Sequence, residues 1–225
     1  YRSAIALSCL LPWAVWGHAA PIYTNHVLYN TDPVIHWRLD ELLGTTARDA
    51  APGGPYNATY ANTYTLGTAG PRPSDGLPTM NPGNVAPNAH SGNGTARYTA
   101  LSTGAGVNTA SYSYQMWFNS SVAQWNNRVL QYLFTRGNGT TDADRRDGIY
   151  IGGSWTNPGA PTGKLGYTPE KDTYIGGTRL LEPDHWYHLV FVRDDYEDPQ
   201  NPGNIIGDAR IYLNGKLEIA STRAW

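Results

Sequence analysis

The sequence predicts an all-β protein built from antiparallel strands. Between His185 and Ser221, side chains alternate with the two-residue period of a strand, first in HWYHLVFVRDD and then in ARIYL and KLEIA. Asn214-Gly215 lies between the last two runs, and this dipeptide favours the positive φ angles of a type I′ hairpin turn. The chain also contains 25 glycines, 16 prolines and 16 tyrosines, a composition typical of short strands joined by many turns.

Bulk composition narrows the classes of function. The chain has 225 residues and a net charge of −2, which gives no electrostatic reason to expect nucleic-acid binding, and no basic stripe interleaves with aromatic residues. The one cysteine, Cys9, lies in the N-terminal apolar run. The mature domain is therefore predicted to contain no disulfide.

Residues 1–19 are predicted to be a secretory signal peptide. Arg2 supplies a positive start, Ala4–Trp16 is an apolar run too short to span a bilayer, and small residues precede a cleavage position after Ala19. Residues 20–33 would then form a polar connector. The sequence thus predicts a secreted or cell-surface protein with no membrane span once the signal is removed.

Further strands are predicted along the rest of the chain. Residues 66–106 are rich in glycine, proline and small polar residues, and we predict short strands separated by long loops there rather than a disordered linker. A turn is predicted at Glu182–His185. The predicted strands outside the C-terminal runs are Val34–Leu39, Val85–Ala86, Ala96–Leu101, Ser111–Ser120, Val129–Arg136, Gly148–Gly152, Gly163–Tyr167 and Thr173–Gly176.

These runs resemble, in order, the strands of laminin-G-like (concanavalin A-like) domains. HWYHLVFVRD…ARIYLNGKLEIAS is similar to the family's W-H-H-V-A-V-V-R-D…L-Y-V-D-G-K strands, and SYSYQMWFNS to its sfTveaWv strand. VIHWRLDELLGTTARDAAPGGPYNATY resembles the opening of bacterial secreted modules of this type, with Ala58 in place of the usual glycine. The resemblance implies a two-sheet antiparallel jelly-roll sandwich over residues 34–225, with one more closing strand expected beyond Trp225.

The concanavalin A-like fold also occurs in glycoside hydrolases, so catalytic carboxylates need consideration. Retaining enzymes hold two carboxyl groups about 5 Å apart, which on one strand requires spacing i, i+2 or i+4. The family's Glu-x-Asp-x-(x)-Glu strand is absent from the sequence, and the adjacent Asp40 and Glu41 would point to opposite faces. Four other acidic residues are predicted to lie in a solvated loop: Asp194, Asp195, Glu197 and Asp198. We therefore predict a domain that is not an enzyme.

Two metals come into question. His185 and His188 are three residues apart and would face opposite sides of a strand, which disfavours zinc. Asp142–Asp147 looks like an incomplete calcium loop interrupted by two arginines, and we interpret it as a solvated hairpin tip. The resemblance implies a structural calcium bound through loop oxygens, at Asp49 with Asn57 as its companion. No other cofactor is predicted.

Aromatic residues beside amides are the predicted ligand-binding residues. Trp125 with Asn126, and Trp155 with Asn157, lie in polar, turn-like surroundings, where an indole can stack on a sugar while amides bond its hydroxyls. The alternative is that both tryptophans cap the core from loops. Three other tryptophans lie on predicted strands and are interpreted as core residues: Trp37, Trp117 and Trp186.

Three functions follow from the resemblance. We favour a non-catalytic carbohydrate- or glycoconjugate-binding module, used for recognition or adhesion at cell surfaces and joined to other domains of a larger extracellular protein. The first alternative is a polysaccharide-degrading enzyme or its accessory domain, which predicts turnover of a polysaccharide. The second is a structural spacer, which predicts no ligand.

Overall fold

The computed structural model describes residues 33–54, 56–60, 64–89, 99–101, 111–121, 131–136, 146–153, 162–169 and 173–224. Within these segments the chain forms strands and one short 3₁₀ helix at Pro73–Asp75. The strands are β1 Thr46–Ala47, β2 Ala58–Tyr60, β3 Tyr64–Ala69, β4 Val85–Ala89, β5 Thr99–Leu101, β6 Tyr112–Asn119, β7 Gln131–Arg136, β8 Arg146–Ile151, β9 Lys164–Thr168, β10 Ile175–Leu180, β11 Trp186–Glu197, β12 Ile205–Leu213 and β13 Lys216–Ala224. The predicted all-β class is confirmed.

Two four-stranded antiparallel sheets form a sandwich. The first sheet has the strand order β13-β12-β11-β6, and the second has the order β10-β9-β8-β7. Their facing side chains form one hydrophobic cluster, to which the first sheet contributes Phe118, Leu189 and Ile211 and the second contributes Ile149 and Leu165. Each such side chain stabilises the fold by roughly 1.5–3 kcal/mol when fully buried. The predicted two-sheet sandwich is confirmed.

The hairpin between β12 and β13 has the predicted turn. Asn214 and Gly215 have φ angles of +49° and +76°, and Leu213 pairs with Lys216 across them. Positive φ at both central positions is the signature of a type I′ turn, whose twist matches that of the flanking strands. The Asn214 side chain also accepts a hydrogen bond from the backbone N–H of His188 at 2.9 Å, so the turn is tied to the adjacent strand β11.

Residues 33–89 contain a second hydrophobic cluster, separate from the core of the sandwich. Ala47, Ala58 and Tyr60 are buried in it, and Trp37 and Tyr64 are among the residues that pack against them. The strands of this segment form the two-stranded sheet β3-β4 and, together with β5, a sheet of order β1-β2-β5. That residues 34–225 make up one domain remains a prediction.

The predicted strand Val34–Leu39 is wrong. Only an isolated bridge between Trp37 and Asp49 forms there. Leu39 has a φ of +57°, which is incompatible with extended backbone, and the His36 N–H donates to the Asp49 carboxylate at 2.9 Å. A side chain therefore takes the place that a neighbouring strand would occupy.

A buried ionic cluster joins the two sheets. Asp147 on β8 is fully buried and accepts hydrogen bonds from the hydroxyls of Tyr112 at 2.7 Å and Tyr167 at 2.8 Å, and from Nη1 of Arg193 at 2.7 Å. Arg193 on β11 also donates twice to the Asp195 carboxylate, at 2.8 and 3.0 Å. Burial, followed by the charge of Asp147, raises the pKa of Tyr167 well above its ordinary value, so that hydroxyl remains a donor.

This cluster corrects two predictions. Asp147 does not lie at a solvated hairpin tip, because it points between the sheets in line with Ile149. Asp194, Asp195 and Glu197 are not in a loop either, since β11 continues to Glu197. The physical reason is that Arg193 satisfies the carboxylates of Asp147 and Asp195 inside the sandwich, together with two tyrosine hydroxyls at Asp147. Asp194 is exposed on the opposite face of β11.

Candidate functional site on the outer face of the first sheet

The side chains of the first sheet that point away from the core make up a surface that we call the outer face. Trp117 lies directly opposite His188, Gln115 lies opposite Val190, and Val190 in turn lies opposite Tyr212. Directly opposite residues of antiparallel strands have Cβ atoms about 4.5–5.5 Å apart. The outer face includes Gln115 and Trp117 on β6, Trp186, His188, Val190, Val192 and Asp194 on β11, Asp208, Arg210 and Tyr212 on β12, and Thr222 on β13.

An aromatic pair occupies one end of the outer face. The rings of Trp117 and His188 are stacked, with centroids 4.9 Å apart and an interplanar angle of 28°. Both residues are half-buried, so part of the stack faces solvent. Nε2 of His188 lies 2.9 Å from the side-chain oxygen of Gln115, and because that oxygen can only accept, the contact places a proton on Nε2. The result is a fixed aromatic platform beside an exposed amide.

His188 is expected to be neutral at pH 7. Burial lowers its pKa below the ordinary value of 6.5, because the desolvated ring disfavours the charged form. Protons then bind the unfolded chain more readily than the folded one. His188 therefore contributes stability that is present above pH 6.5 and is lost as the pH falls through its folded-state pKa.

A proton NMR titration tests the lowered pKa of His188. The ring resonance is assigned by its disappearance in His188→Gln, and its titration should give a pKa below 6.5. A value at or above 6.5 would contradict the burial of this ring.

Charged and hydroxyl groups occupy the other end of the outer face. Asp194 and Asp208 lie directly opposite each other on β11 and β12. Asp208 is held by Nη2 of Arg210 at 3.0 Å and by hydrogen bonds from the hydroxyls of Thr222 and Tyr196. Along β11 this end is six residues from the aromatic pair, which is roughly 20 Å at about 3.4 Å per residue. The outer face therefore offers an aromatic end, an apolar middle and a polar end in one continuous surface.

The predicted core position is wrong for two of the three strand tryptophans, Trp117 and Trp186. Trp117 was interpreted as core, but it lies on the outer face, and the adjacent Phe118 is the residue that is buried against Tyr187. Trp186 has the same orientation as His188 and is half-buried. Trp37 packs into the N-terminal cluster, where its indole N–H donates to the carbonyl of Tyr56 at 2.7 Å.

The four residues predicted to bind a ligand lie outside the described segments: Trp125, Asn126, Trp155 and Asn157. Their role therefore remains a prediction. Sequence reasoning missed Trp117, His188 and Gln115 as a group. The signal that could have found them is strand parity, since Trp117 and His188 both alternate with large apolar residues that form the core.

Asp49 and Asn57, the predicted calcium ligands, are brought together. The side-chain oxygen of Asn57 accepts the Asp49 N–H at 2.9 Å. Oδ1 of Asp49 accepts the N–H groups of His36 and Ala51 at 2.9 and 3.0 Å, and Oδ2 accepts that of Tyr56 at 3.3 Å. The Asp49 carboxylate thus accepts hydrogen bonds from three backbone N–H groups.

Among the described residues, no group of three or more histidine, cysteine, aspartate or glutamate side chains is arranged to hold a metal ion. None of the described segments forms a helix with the length and apolarity that crossing a membrane requires.

A family model described as the concanavalin A-like lectin/glucanases superfamily, of the laminin-G type, matches residues 93–224. The match covers more than half of the chain and takes in β5 to β13, which include both sheets of the sandwich. The chain therefore belongs to this family. No curated protein and no solved structure matches the chain. At the level of the family, the fold is that of a carbohydrate-binding or adhesion-type module, in a superfamily that also includes glycosidases.

Proposed function

We propose that this chain is a secreted, non-catalytic module that binds a carbohydrate or a cell-surface glycoconjugate and belongs to a larger extracellular protein. The observation that carries the proposal is the Trp117–His188 stack beside Gln115 on the outer face.

The proposal that the chain is secreted rests on the N-terminal signal pattern. N-terminal sequencing of the exported protein should find processing after Ala19.

The chemistry of the outer face suits a sugar chain. An aromatic face attracts the apolar C–H face of a sugar ring, while amides and charged groups exchange hydrogen bonds with its hydroxyls. Gln115 can supply such bonds beside the stack, and Arg210 and Asp208 can supply them at the polar end. A surface roughly 20 Å long fits an oligosaccharide better than a single sugar.

The enzymatic alternative has one observation in its favour. Asp194 and Asp208 are directly opposite on one face, and retaining glycosidases hold their two carboxyl groups about 5–5.5 Å apart. Asp208, however, is already paired with Arg210 and Thr222. We expect no release of reducing ends from any polysaccharide that binds. Turnover that disappears in Asp208→Asn would instead establish an enzyme.

A glycan-array screen of the exported chain tests the binding function. We expect selective binding that is lost in Trp117→Ala, with Trp125→Ala and Trp155→Ala included to test the residues predicted from the sequence. A blank array from protein with the circular dichroism of a folded β-sheet would favour the structural spacer over the binding module for the glycans represented. Binding that survives Trp117→Ala would move the site away from the outer face.

Calcium at Asp49 and Asn57 is a further part of the proposal. Each carboxylate oxygen has more than one acceptor direction, so accepting a backbone N–H does not exhaust it, and hard cations prefer such clustered oxygens. We expect calcium chloride to raise the melting temperature relative to EGTA, and Asp49→Asn to remove that difference. Equal melting temperatures of the natural chain in calcium and in EGTA would remove calcium from the proposal.

A further inference from the structure

The charged groups of the outer face lie at its polar end. Among the residues that define this face, Asp194, Asp208 and Arg210 carry charge. His188 at the aromatic end is expected to be neutral, because burial lowers its pKa. Two carboxylates against one guanidinium leave one negative charge uncompensated, so the outer face is negative at its polar end.

The cation of this set is already engaged. Nη2 of Arg210 lies 3.0 Å from the Asp208 carboxylate, which also accepts a hydrogen bond from the Thr222 hydroxyl. To bind a sulfate or a carboxylate of a ligand, Arg210 would have to leave this partner or share itself with it. Arginines and lysines that attract anions are those whose charge is not already neutralised, so Arg210 does not make the outer face an anion site.

The Asp194 carboxylate keeps its charge. Its side chain is exposed and accepts a hydrogen bond from the Ser111 hydroxyl at 3.3 Å, which is a neutral donor. Arg193, the preceding residue on β11, points to the opposite face and is paired with Asp147 and Asp195. Among the residues that the structure describes, therefore, no cationic side chain is paired with Asp194.

The charge at Asp194 is unfavourable for the fold. Asp194 and Asp208 are directly opposite each other on β11 and β12, and like charges in directly opposite positions destabilise a sheet. An asparagine at position 194 could accept the same hydrogen bond from Ser111 without the repulsion. A carboxylate that the fold does not need, at one end of a candidate binding surface, is more typical of a functional position than of a structural one.

We propose that the outer face selects glycans without acidic groups and rejects sulfated and uronic-acid chains, and that Asp194 sets this selectivity. The inference rests on the proposed glycan-binding function of the same face and names its ligand class. A neutral sugar can donate its hydroxyl protons to the carboxylates of Asp194 and Asp208. A sulfate or a carboxylate offers them only acceptors and a like charge, and repulsion of the wrong ligand is a common source of specificity.

Matched pairs of polysaccharides test the selectivity. Each pair shares one backbone in a neutral and a sulfated form, such as dextran with dextran sulfate and cellulose oligosaccharides with their sulfates, and is probed with the full chain at low salt. We expect the neutral member of each bound pair to bind more tightly. Asp194→Asn should raise the ratio of sulfated to neutral affinity about fivefold, the effect of removing one like-charge contact through water. At about 1 M sodium chloride, where the Debye length is about 3 Å, this change in the ratio should disappear.

Two further variants serve as controls. Asp194→Glu keeps the charge and should keep the low ratio of the natural chain. Asp75→Asn removes an exposed carboxylate from the 3₁₀ helix at Pro73–Asp75, which is not part of the outer face, and should also leave the ratio unchanged. Positions 75 and 194 are both exposed, so each variant is expected to fold, and circular dichroism verifies this.

The outcomes separate this inference from the proposed function. Sulfated members that bind as tightly as their neutral partners, or more tightly, would overturn the selectivity while leaving glycan binding established. A ratio in Asp194→Asn no higher than that in Asp75→Asn would overturn the role of Asp194. If a folded chain bound neither member of any pair, the proposed function itself would be overturned, and the inference would fall with it.

Discussion

Replacing Arg193 by methionine is expected to lower the free energy of unfolding by about 3–5 kcal/mol. Arg193 is the cation between Asp147 and Asp195, and only 5% of its side chain and none of that of Asp147 are exposed. Methionine fills much of the same volume but leaves two buried carboxylates without a positive partner. Urea unfolding followed by tryptophan fluorescence or circular dichroism measures the loss directly.

Arg210→Met is the matched control for this prediction. Arg210 on β12 also pairs with an aspartate, Asp208, but 43% of the arginine side chain is exposed. Solvent-exposed pairs of this kind contribute about 0–1 kcal/mol, so the control should change little. If both variants lost the same stability, the cluster at Asp147 would not be what holds the two sheets together.

Much of the sandwich could be predicted from the sequence, because its C-terminal strands are specified by local patterns. The alternation in β11 and β12 and the Asn214-Gly215 turn each determine backbone structure over a few residues. The family resemblance rests on the same runs of sequence, so it predicted the same strands as the periodicity did.

The orientation of the strands was harder to predict, because both faces of β6 and β11 carry large apolar side chains. Trp117 and Phe118 are neighbours, and periodicity requires that they point in opposite directions without deciding which one is buried. The interior of β11 also includes Arg193, whereas a polar residue normally marks the solvent side. The carboxylates of Asp147 on the other sheet and of Asp195 on the same strand make that arrangement favourable.

The N-terminal segment departs from prediction for a different physical reason. VIHWRL has the alternation of a strand, yet Leu39 is left-handed and the Asp49 carboxylate takes the His36 N–H. Such contacts between residues 13 apart in sequence override the local preference for extended backbone. The resemblance did identify Asp49 and Asn57 as neighbours. It did not identify the backbone N–H groups that donate hydrogen bonds to the Asp49 carboxylate.

Replacing Trp117 by alanine is expected to weaken glycan binding by roughly 30-fold, the effect of losing about 2 kcal/mol at a central aromatic contact. The indole supplies the flat apolar surface on which a sugar ring can stack, and its removal also takes away the ring that supports His188. Trp117→Phe should retain part of the affinity, because it keeps a smaller aromatic face. Isothermal titration with the best oligosaccharide from the array would give both values.

Leu180→Ala is the control for this second prediction, since Leu180 is 62% exposed on β10 of the other sheet and lies outside the outer face. Its affinity should equal that of the natural chain. If Trp117→Ala bound as tightly as the control while Trp125→Ala or Trp155→Ala lost binding, the ligand would be held by the predicted loop tryptophans. The outer face would then support the fold through its cross-strand pairs without recognising the glycan.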